Sequence, residues 1–442
     1  MIMRRLYAIW ISMALALGAC SDFTEIDPKG KNILNRVEDL DLLLNYEYDI
    51  SASDIRIVVN DGYPLMTNIP NLLNESIKTL NGIYTSWDET ADRVALTTSD
   101  DTYSGLYQII GQVANPVLQN VDEAAGDRAM ADRLKAEALV LRAWCHYCLV
   151  NIYAKAYDPA TAETDPGIVY RVETDEMQNP NEKLTVEEVY GHILADLDSA
   201  LNLGSLPVTP NKMRVGLPFA YAAKAKVLMS MRDYDGAFEA AGESLELKST
   251  IDDYNDLLAM DAMFGSGLTE FTRPELELEE ELFDTPVMVL YDALPDELWE
   301  AFEEGHILKE YLLTDLRMYG STSNGYSFYG LNTPLIFAYY VYYSPLGLTT
   351  VDMYLTQAEC YIREGNITGA MELLNQIREK RIVEGQYTEK TAASAEEAFA
   401  IMKNISRTEN FATLKNFINL KRWNTEPAYQ ETLRKTIEWD VY

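Results

Sequence analysis

The feature that most constrains this chain is a helical-hairpin pattern that occurs twice. Ala225, Leu228, Tyr234 and Ala237 stand at the same offsets as Ala358, Tyr361, Ile367 and Ala370. Arg232-Asp233 in the first set and Glu364-Gly365-Asn366 in the second occupy the place of a tight turn between paired helices. Small side chains flanking the turn let two antiparallel helices approach closely, which is the packing rule of tetratricopeptide-type hairpins. The sets begin at 225 and 358, too far apart for a tandem solenoid, so long insertions must separate them.

Other stretches carry helical signals as well. Residues 134–153 are rich in Ala, Leu and Arg, with Glu137 and Arg142 as the punctuating charges. Five positions apart, those two do not face one another on a helix, so each is expected to pair with another segment. Thr185-Val186-Glu187-Glu188 has the form of a capping box, and Val189, Ile193, Leu197 and Leu201 follow at helical spacing until Pro207 ends the pattern. The blocks 218–247 and 351–381 hold the two hairpins.

Between these blocks the chain reads as loop. Residues 157–183 contain Pro159, Pro166 and Pro180, and 60–101 contain Gly62-Tyr63-Pro64 and Tyr84-Thr85-Ser86-Trp87. Residues 261–344 hold an acidic run at 275–281, expected to be a solvated face, and a tyrosine cluster over 326–343. Phe337-Ala338-Tyr339-Tyr340-Val341-Tyr342-Tyr343 has the composition of a short strand pair. The expected fold is mainly α: tetratricopeptide-like helical hairpins form a scaffold, with long irregular loop insertions and a little β.

Charge narrows the partners. With 36 Lys+Arg against 70 Asp+Glu the net charge is −34, which disfavours nucleic acid and passive attraction to anionic lipid. The first residues supply another route to a membrane. Arg4 and Arg5 precede an apolar run from Leu6 to Leu17, too short to span a bilayer, and Leu17-Gly18-Ala19-Cys20 follows. This matches a lipobox: residues 1–19 are removed as a lipoprotein signal peptide and Cys20 becomes the acylated N-terminus. Cys145, Cys148 and Cys360 then remain, an odd number that implies no disulfide framework. Cys145-His146-Tyr147-Cys148 lies in a helical stretch with no second ligand pair, so buried thiols are expected there rather than a metal or redox site.

In order along the chain, these features resemble the SusD/RagB family of outer-membrane nutrient-binding lipoproteins from Bacteroidetes. The likeness rests on Asp22-Phe23 through Pro28, on Tyr103, Leu106, Tyr107 and Ile110 followed by Ala114-Asn115, and on Ala136-Glu137-Ala138 with Arg142-Ala143-Trp144. It continues with Leu149-Val150-Asn151-Ile152-Tyr153, Val186-Glu187-Glu188-Val189-Tyr190, Tyr354-Leu355, Ala358-Glu359 and Leu374-Asn375-Gln376-Ile377-Arg378. Phe417-Ile418-Asn419-Leu420-Lys421-Arg422-Trp423 resembles the terminal signature, although Asn416 and Asn419 replace its usual Arg and Asp. The acidic residues after Cys20 resemble a surface-export signal. The resemblance implies a single SusD-like domain over 20–442, with an N-terminal part over 20–250 and a C-terminal part over 251–442.

It also implies a function: a lipid-anchored, surface-exposed outer-membrane protein that captures a glycan or peptide and passes it to a SusC-like TonB-dependent transporter, with no cofactor and no catalysis. Sugar rings stack on aromatic faces and offer hydroxyls to polar side chains, so the candidate ligand contacts are Tyr63, Tyr84, Trp87, Trp299, Tyr326 and Tyr329, with Asn324 as hydrogen-bonding partner. A helical-repeat scaffold or adhesin would share the lipobox and the hairpins. A glycoside hydrolase would use the carboxylates at 275–281 or 296–304, yet the chain has none of the nucleophile, phosphate-loop or zinc motifs, and His146, His192 and His306 are scattered.

Overall fold

The computed structural model describes residues 34–48, 50, 53–64, 79–96, 100–173, 181–260, 269–271, 278–315 and 336–435. Cys20, Asn324, Tyr326 and Tyr329 lie outside them.

Short helices come first: α1 (Val37–Leu44), α2 (Ser53–Val58), α3 (Leu80–Ser86), α4 (Arg93–Leu96) and α5 (Asp101–Gln108). A π-helical stretch, Ile109–Ala114, joins α5 to α6 (Asn115–Asn120). The long α7 (Arg128–Tyr153) and α8 (Val186–Leu203) follow, then the hairpin α9 (Leu217–Met231) and α10 (Tyr234–Leu247). Beyond the insertion, which carries α11 (Asp296–Ala301) and α12 (Ile307–Tyr311), come α13 (Thr350–Glu364), α14 (Ile367–Glu379), α15 (Ala395–Glu409) and α16 (Lys415–Trp423).

Both hairpins form as the sequence pattern requires. Arg232 at φ 64° and Gly365 at φ 84° end the first helices in the left-handed conformation. Asp233 and Asn366 then cap the second helices, accepting from the amides of Gly236 at 3.1 Å and Gly369 at 3.0 Å. Ala225, Ala237, Ala358 and Ala370 are all fully buried. The structure adds a contact that spacing does not reveal: α10 packs on α13, so two hairpins far apart in sequence are neighbours in space. Phe238 meets Tyr361 at 4.9 Å between ring centroids, and the Gln357 amide donates to the Phe238 carbonyl at 3.3 Å.

The capping box also forms: Thr185 Oγ1 accepts from the Glu188 amide at 3.2 Å, and Glu188 Oε2 accepts from the Thr185 amide at 2.8 Å. Helix α7 runs through the main core, and its two charges find partners elsewhere, as their spacing demands. Arg142 forms a bidentate pair with Asp196 at 2.7 and 2.8 Å, and Glu137 is held by Arg214. The Trp144 indole donates to the Leu346 carbonyl at 2.7 Å. Cys145, Cys148 and Cys360 are free and buried. His146 is fully buried; its Nδ1 lies 2.8 Å from the Arg142 carbonyl and its Nε2 accepts from the Arg171 amide at 2.9 Å, while burial pushes its pKa down to about 3. Those bonds make it a structural residue.

The insertion holds most of the β structure. Strands β1 (Tyr63–Pro64), β5 (Val287–Leu294), β7 (Ile336–Tyr343) and β6 (Leu313–Asp315) form one antiparallel sheet in that order. The aromatic run at 337–343 is thus a strand with two neighbours, more than the expected strand pair. Two smaller pairs join β2 (Leu258–Met260) to β3 (Thr269–Phe271) and β4 (Glu281–Phe283) to β8 (Leu348–Thr349). One expectation is overturned here. The acidic run does not end on a solvated face: Glu280 and Glu281 are buried, and Glu280 Oε2 accepts from Arg381 at 2.9 Å and from the Asp252 amide at 3.1 Å. Arg381 also bonds Glu409, so the charges neutralise one another inside the fold.

Among the described residues, no helix is long and apolar enough to cross a membrane.

Candidate functional site

The turn after α2 gathers four distant parts of the chain. Asn60 takes a left-handed backbone, φ 59°, which an asparagine tolerates better than most residues. Its side-chain amide donates to Glu297 Oε2 at 3.1 Å and to the Arg434 carbonyl at 3.0 Å. Asp61 is buried and accepts from Arg407 Nε at 3.3 Å and from Asn416 Nδ2 at 2.7 Å. Burial raises its pKa, and the neighbouring Arg407 and Asn416 oppose that rise. Strand β1 continues from the turn, with Tyr63 opposite Ala293 of β5.

Trp87 is fixed to the same turn. It follows α3 with φ 52°, a conformation that costs a bulky side chain about 1–2 kcal/mol. Its indole N–H donates to the Val58 carbonyl at 2.9 Å. The Lys435 ammonium sits 4.4 Å from the ring centroid and donates to the Ile57 carbonyl at 2.9 Å and the Tyr84 carbonyl at 3.4 Å. Burial lowers the Lys435 pKa to about 7, partly offset by Glu297. The ring is therefore held at its edge and over a face, and the residue is half-buried.

A cavity of about 260 Å³ with a mixed polar and apolar lining opens beside this turn. Val59 and Asp61 line it from the turn, Asn404 and Arg407 from α15, Asn416 and Trp423 from α16, and Glu431 and Leu433 from the C-terminal strap. The strap is tied down by Lys403, which bonds the Tyr429 carbonyl at 2.9 Å and Glu431 at 3.1 Å, and by stacking of Tyr429 on Phe399 at 4.1 Å.

Of the sequence candidates, Trp87 and Tyr84 come to this turn together with the backbone of Tyr63. Tyr84 is half-buried and contributes its carbonyl to Lys435. Trp299 lies on α11 two residues beyond Glu297, partly buried against a second apolar cluster, with the Lys309 ammonium 5.1 Å from its ring centroid. The sequence reading did not select Asn60, Asp61, Asn404 or Asn416. Asn60-Asp61-Gly62 has turn chemistry, which could have flagged the first two.

Fold and site together define a class: a tetratricopeptide-like helical scaffold with a cavity where α15, α16 and the C-terminal strap meet the turn after α2. A family model described as "SusD-like_3: Starch-binding associating with outer membrane" matches residues 55–229. A SusD-like carbohydrate binding protein from Bacteroides vulgatus shares the fold with TM-score 0.62 at 15% identity, over 88% of this chain and 83% of its own. A SusD superfamily protein from Bacteroides thetaiotaomicron gives 0.63 at 14%, covering 88% of this chain and 89% of its own. Surface glycan-binding protein A from Bacteroides uniformis gives 0.59 at 13%, with 88% of this chain and 89% of its own covered. No functionally curated protein matches the chain in sequence. Residues 55–229 thus resemble the SusD-like family, and the fold is the one seen in SusD superfamily structures.

Proposed function

We propose that this protein is a cell-surface glycan-binding lipoprotein that captures an oligosaccharide without cleaving it and delivers it to a TonB-dependent transporter of the outer membrane. The observation that carries the reading is a cavity lined by Trp423, Asn404 and Asn416, opening at the turn to whose Val58 carbonyl the half-buried Trp87 is fixed. An aromatic side chain and an exposed amide such as that of Asn404 suit the two sides of a sugar ring. The names of the structural relatives, a carbohydrate binding protein and a surface glycan-binding protein, agree with that chemistry. Cys20 supplies the anchor, and the matched family model is described as associating with the outer membrane.

Affinity electrophoresis in gels containing soluble starch, xyloglucan, xylan or mannan tests the binding. Retention in at least one gel, with no reducing sugar released, is expected. Unchanged mobility in every gel, or release of product, rejects the reading. Copurification from detergent-solubilised membranes tests delivery: a stoichiometric transporter is expected, and its absence would favour an adhesin or scaffold.

A further inference from the structure

After α16 the chain runs from Asn424 to Lys435 as a strap without helix or strand, every residue of it exposed or half-buried. Its first half is moored to the scaffold: Arg363 bonds Glu426 at 2.8 and 3.0 Å, and its guanidinium lies 4.2 Å from the Tyr429 ring centroid. The second half reaches the turn after α2. Glu431 and Leu433 help wall the cavity there, the Arg434 carbonyl accepts from Asn60 at 3.0 Å, and Lys435 closes over Trp87.

The place of the Lys435 ammonium follows from two helix ends. Ile57 stands in the last turn of α2 and Tyr84 in the last turn of α3, and the carbonyls of both accept from Nζ, at 2.9 and 3.4 Å. Carbonyls left over at a helix C-terminus attract a cation, and the helix dipole adds to that attraction. The same convergence sets the ammonium 4.4 Å from the Trp87 ring centroid, where the π-face of the indole gives it a further contact. Both bonds go to neutral carbonyls. Lys415 in the scaffold, by contrast, bonds the Asp352 carboxylate and is buried with it, whereas Lys435 is half-buried on an exposed strap. An ammonium so placed regains water on leaving, and it leaves behind an aromatic face. A sugar ring stacked on that face needs the space the ammonium fills.

We propose that the end of the strap is a built-in competitor for the ligand: Lys435 covers the Trp87 face in the free protein, and a stacking sugar displaces it. The proposal rests on the glycan-binding reading above, with Trp87 as the stacking ring, and adds what guards that ring.

Calorimetric titration with maltoheptaose, xyloglucan heptasaccharide, xylohexaose and mannohexaose tests it. Lys435→Ala removes the competitor and is expected to bind the preferred oligosaccharide about 3- to 10-fold more tightly than wild type, the worth of a partly desolvated cation–π contact. Lys435→Arg restores the cation and should bring the affinity back to the wild-type value or below it. A lysine that only braces the turn predicts the opposite sign, a weaker Ala variant. In wild-type protein labelled at the lysine ε-carbon, the Lys435 methylene signal, assigned by its absence from Lys435→Arg, should lie upfield under the indole ring current and move downfield on saturation. Equal or weaker binding by Lys435→Ala while Trp87→Ala loses affinity overturns the competitor and spares the binding reading, and so does a methylene signal that stays upfield at saturation. If neither the wild type nor Lys435→Ala binds any probe, or if Trp87→Ala binds as tightly as the wild type, the reading of Trp87 falls and the competitor with it. Should Lys435→Ala fail to fold, the methylene signal of the wild type decides alone.

Discussion

The helical scaffold and the turn beside α2 both pair their buried polar groups, but they differ in what they leave at the surface. In the scaffold the main buried charges are paired within the protein. Glu359 is clamped by Arg422 at 2.6 and 2.7 Å and by Arg363 at 2.7 Å, and the Trp423 indole donates to it as well. Lys415 holds Asp352 at 2.7 Å, and Arg142 holds Asp196. At the turn, by contrast, Trp87 holds a left-handed backbone and stays half-buried, and the exposed Asn404 of α15 lines the cavity that opens there. The difference teaches where to look for function in a fold like this: the scaffold interior spends its polar groups on itself, whereas the turn after α2 and the neighbouring face of α15 leave an aromatic and an amide at the surface. Removing a scaffold charge should unfold the molecule, and removing a site group should disable it while folded.

The largest expected effect sharpens that contrast. Arg142→Leu strands the Asp196 carboxylate and should destabilise the protein by about 3–5 kcal/mol in urea unfolding, with ligand preference unchanged in whatever remains folded. Full stability, or an altered preference, would place Arg142 in the site instead.

Acid offers a second way to break the scaffold. Desolvation works to raise the Glu359 pKa, but Arg422 and Arg363 outweigh it and hold the group at about 2 against an ordinary 4.5. A carboxylate depressed in the folded state contributes stability that is complete above pH 4.5 and lost as pH falls through 2. Roughly 3 kcal/mol should disappear over that window. Glu359→Gln should flatten this part of the stability–pH curve, and a curve as steep as that of the wild type would contradict the assignment.

Trp87→Ala probes the other region. We expect a loss of glycan affinity of about 10-fold, from an aromatic contact of about 1–2 kcal/mol, while calorimetric melting changes little. A collapse in stability with affinity retained would show that Trp87 packs the turn and binds nothing. The smallest effects test whether the two hairpins are equivalent: Asp233→Ala and Asn366→Ala should each cost about 1 kcal/mol, since both remove an N-cap of the same geometry. Unequal losses would argue that only one turn depends on its cap.

Local chemistry made much of the scaffold legible in sequence. The alanine offsets, the Thr185 capping box and the spacing of Glu137 and Arg142 each state a local rule that the fold obeys. The packing of α10 on α13 was not legible, because that contact spans an insertion. The burial of Glu280 was hidden for a similar reason: Arg381, which neutralises it, lies on a distant segment. The site was partly legible. Trp87 was visible as an aromatic in a loop-rich stretch, but its anchoring depends on Val58 and Lys435, and Asp61 meets Arg407 and Asn416 only after folding. His306 looked like an isolated histidine, and its Nδ1 accepts the Leu308 amide only once α12 forms.

The central claim is that a self-satisfied helical scaffold presents its ligand site beside the α2 turn and along α15. A crystal structure of the protein with a bound hexa- or heptasaccharide tests it most directly. The account predicts sugar density against the Trp87 indole and alongside Asn404. Density confined to another face of the molecule, with both of those residues bare, would contradict it.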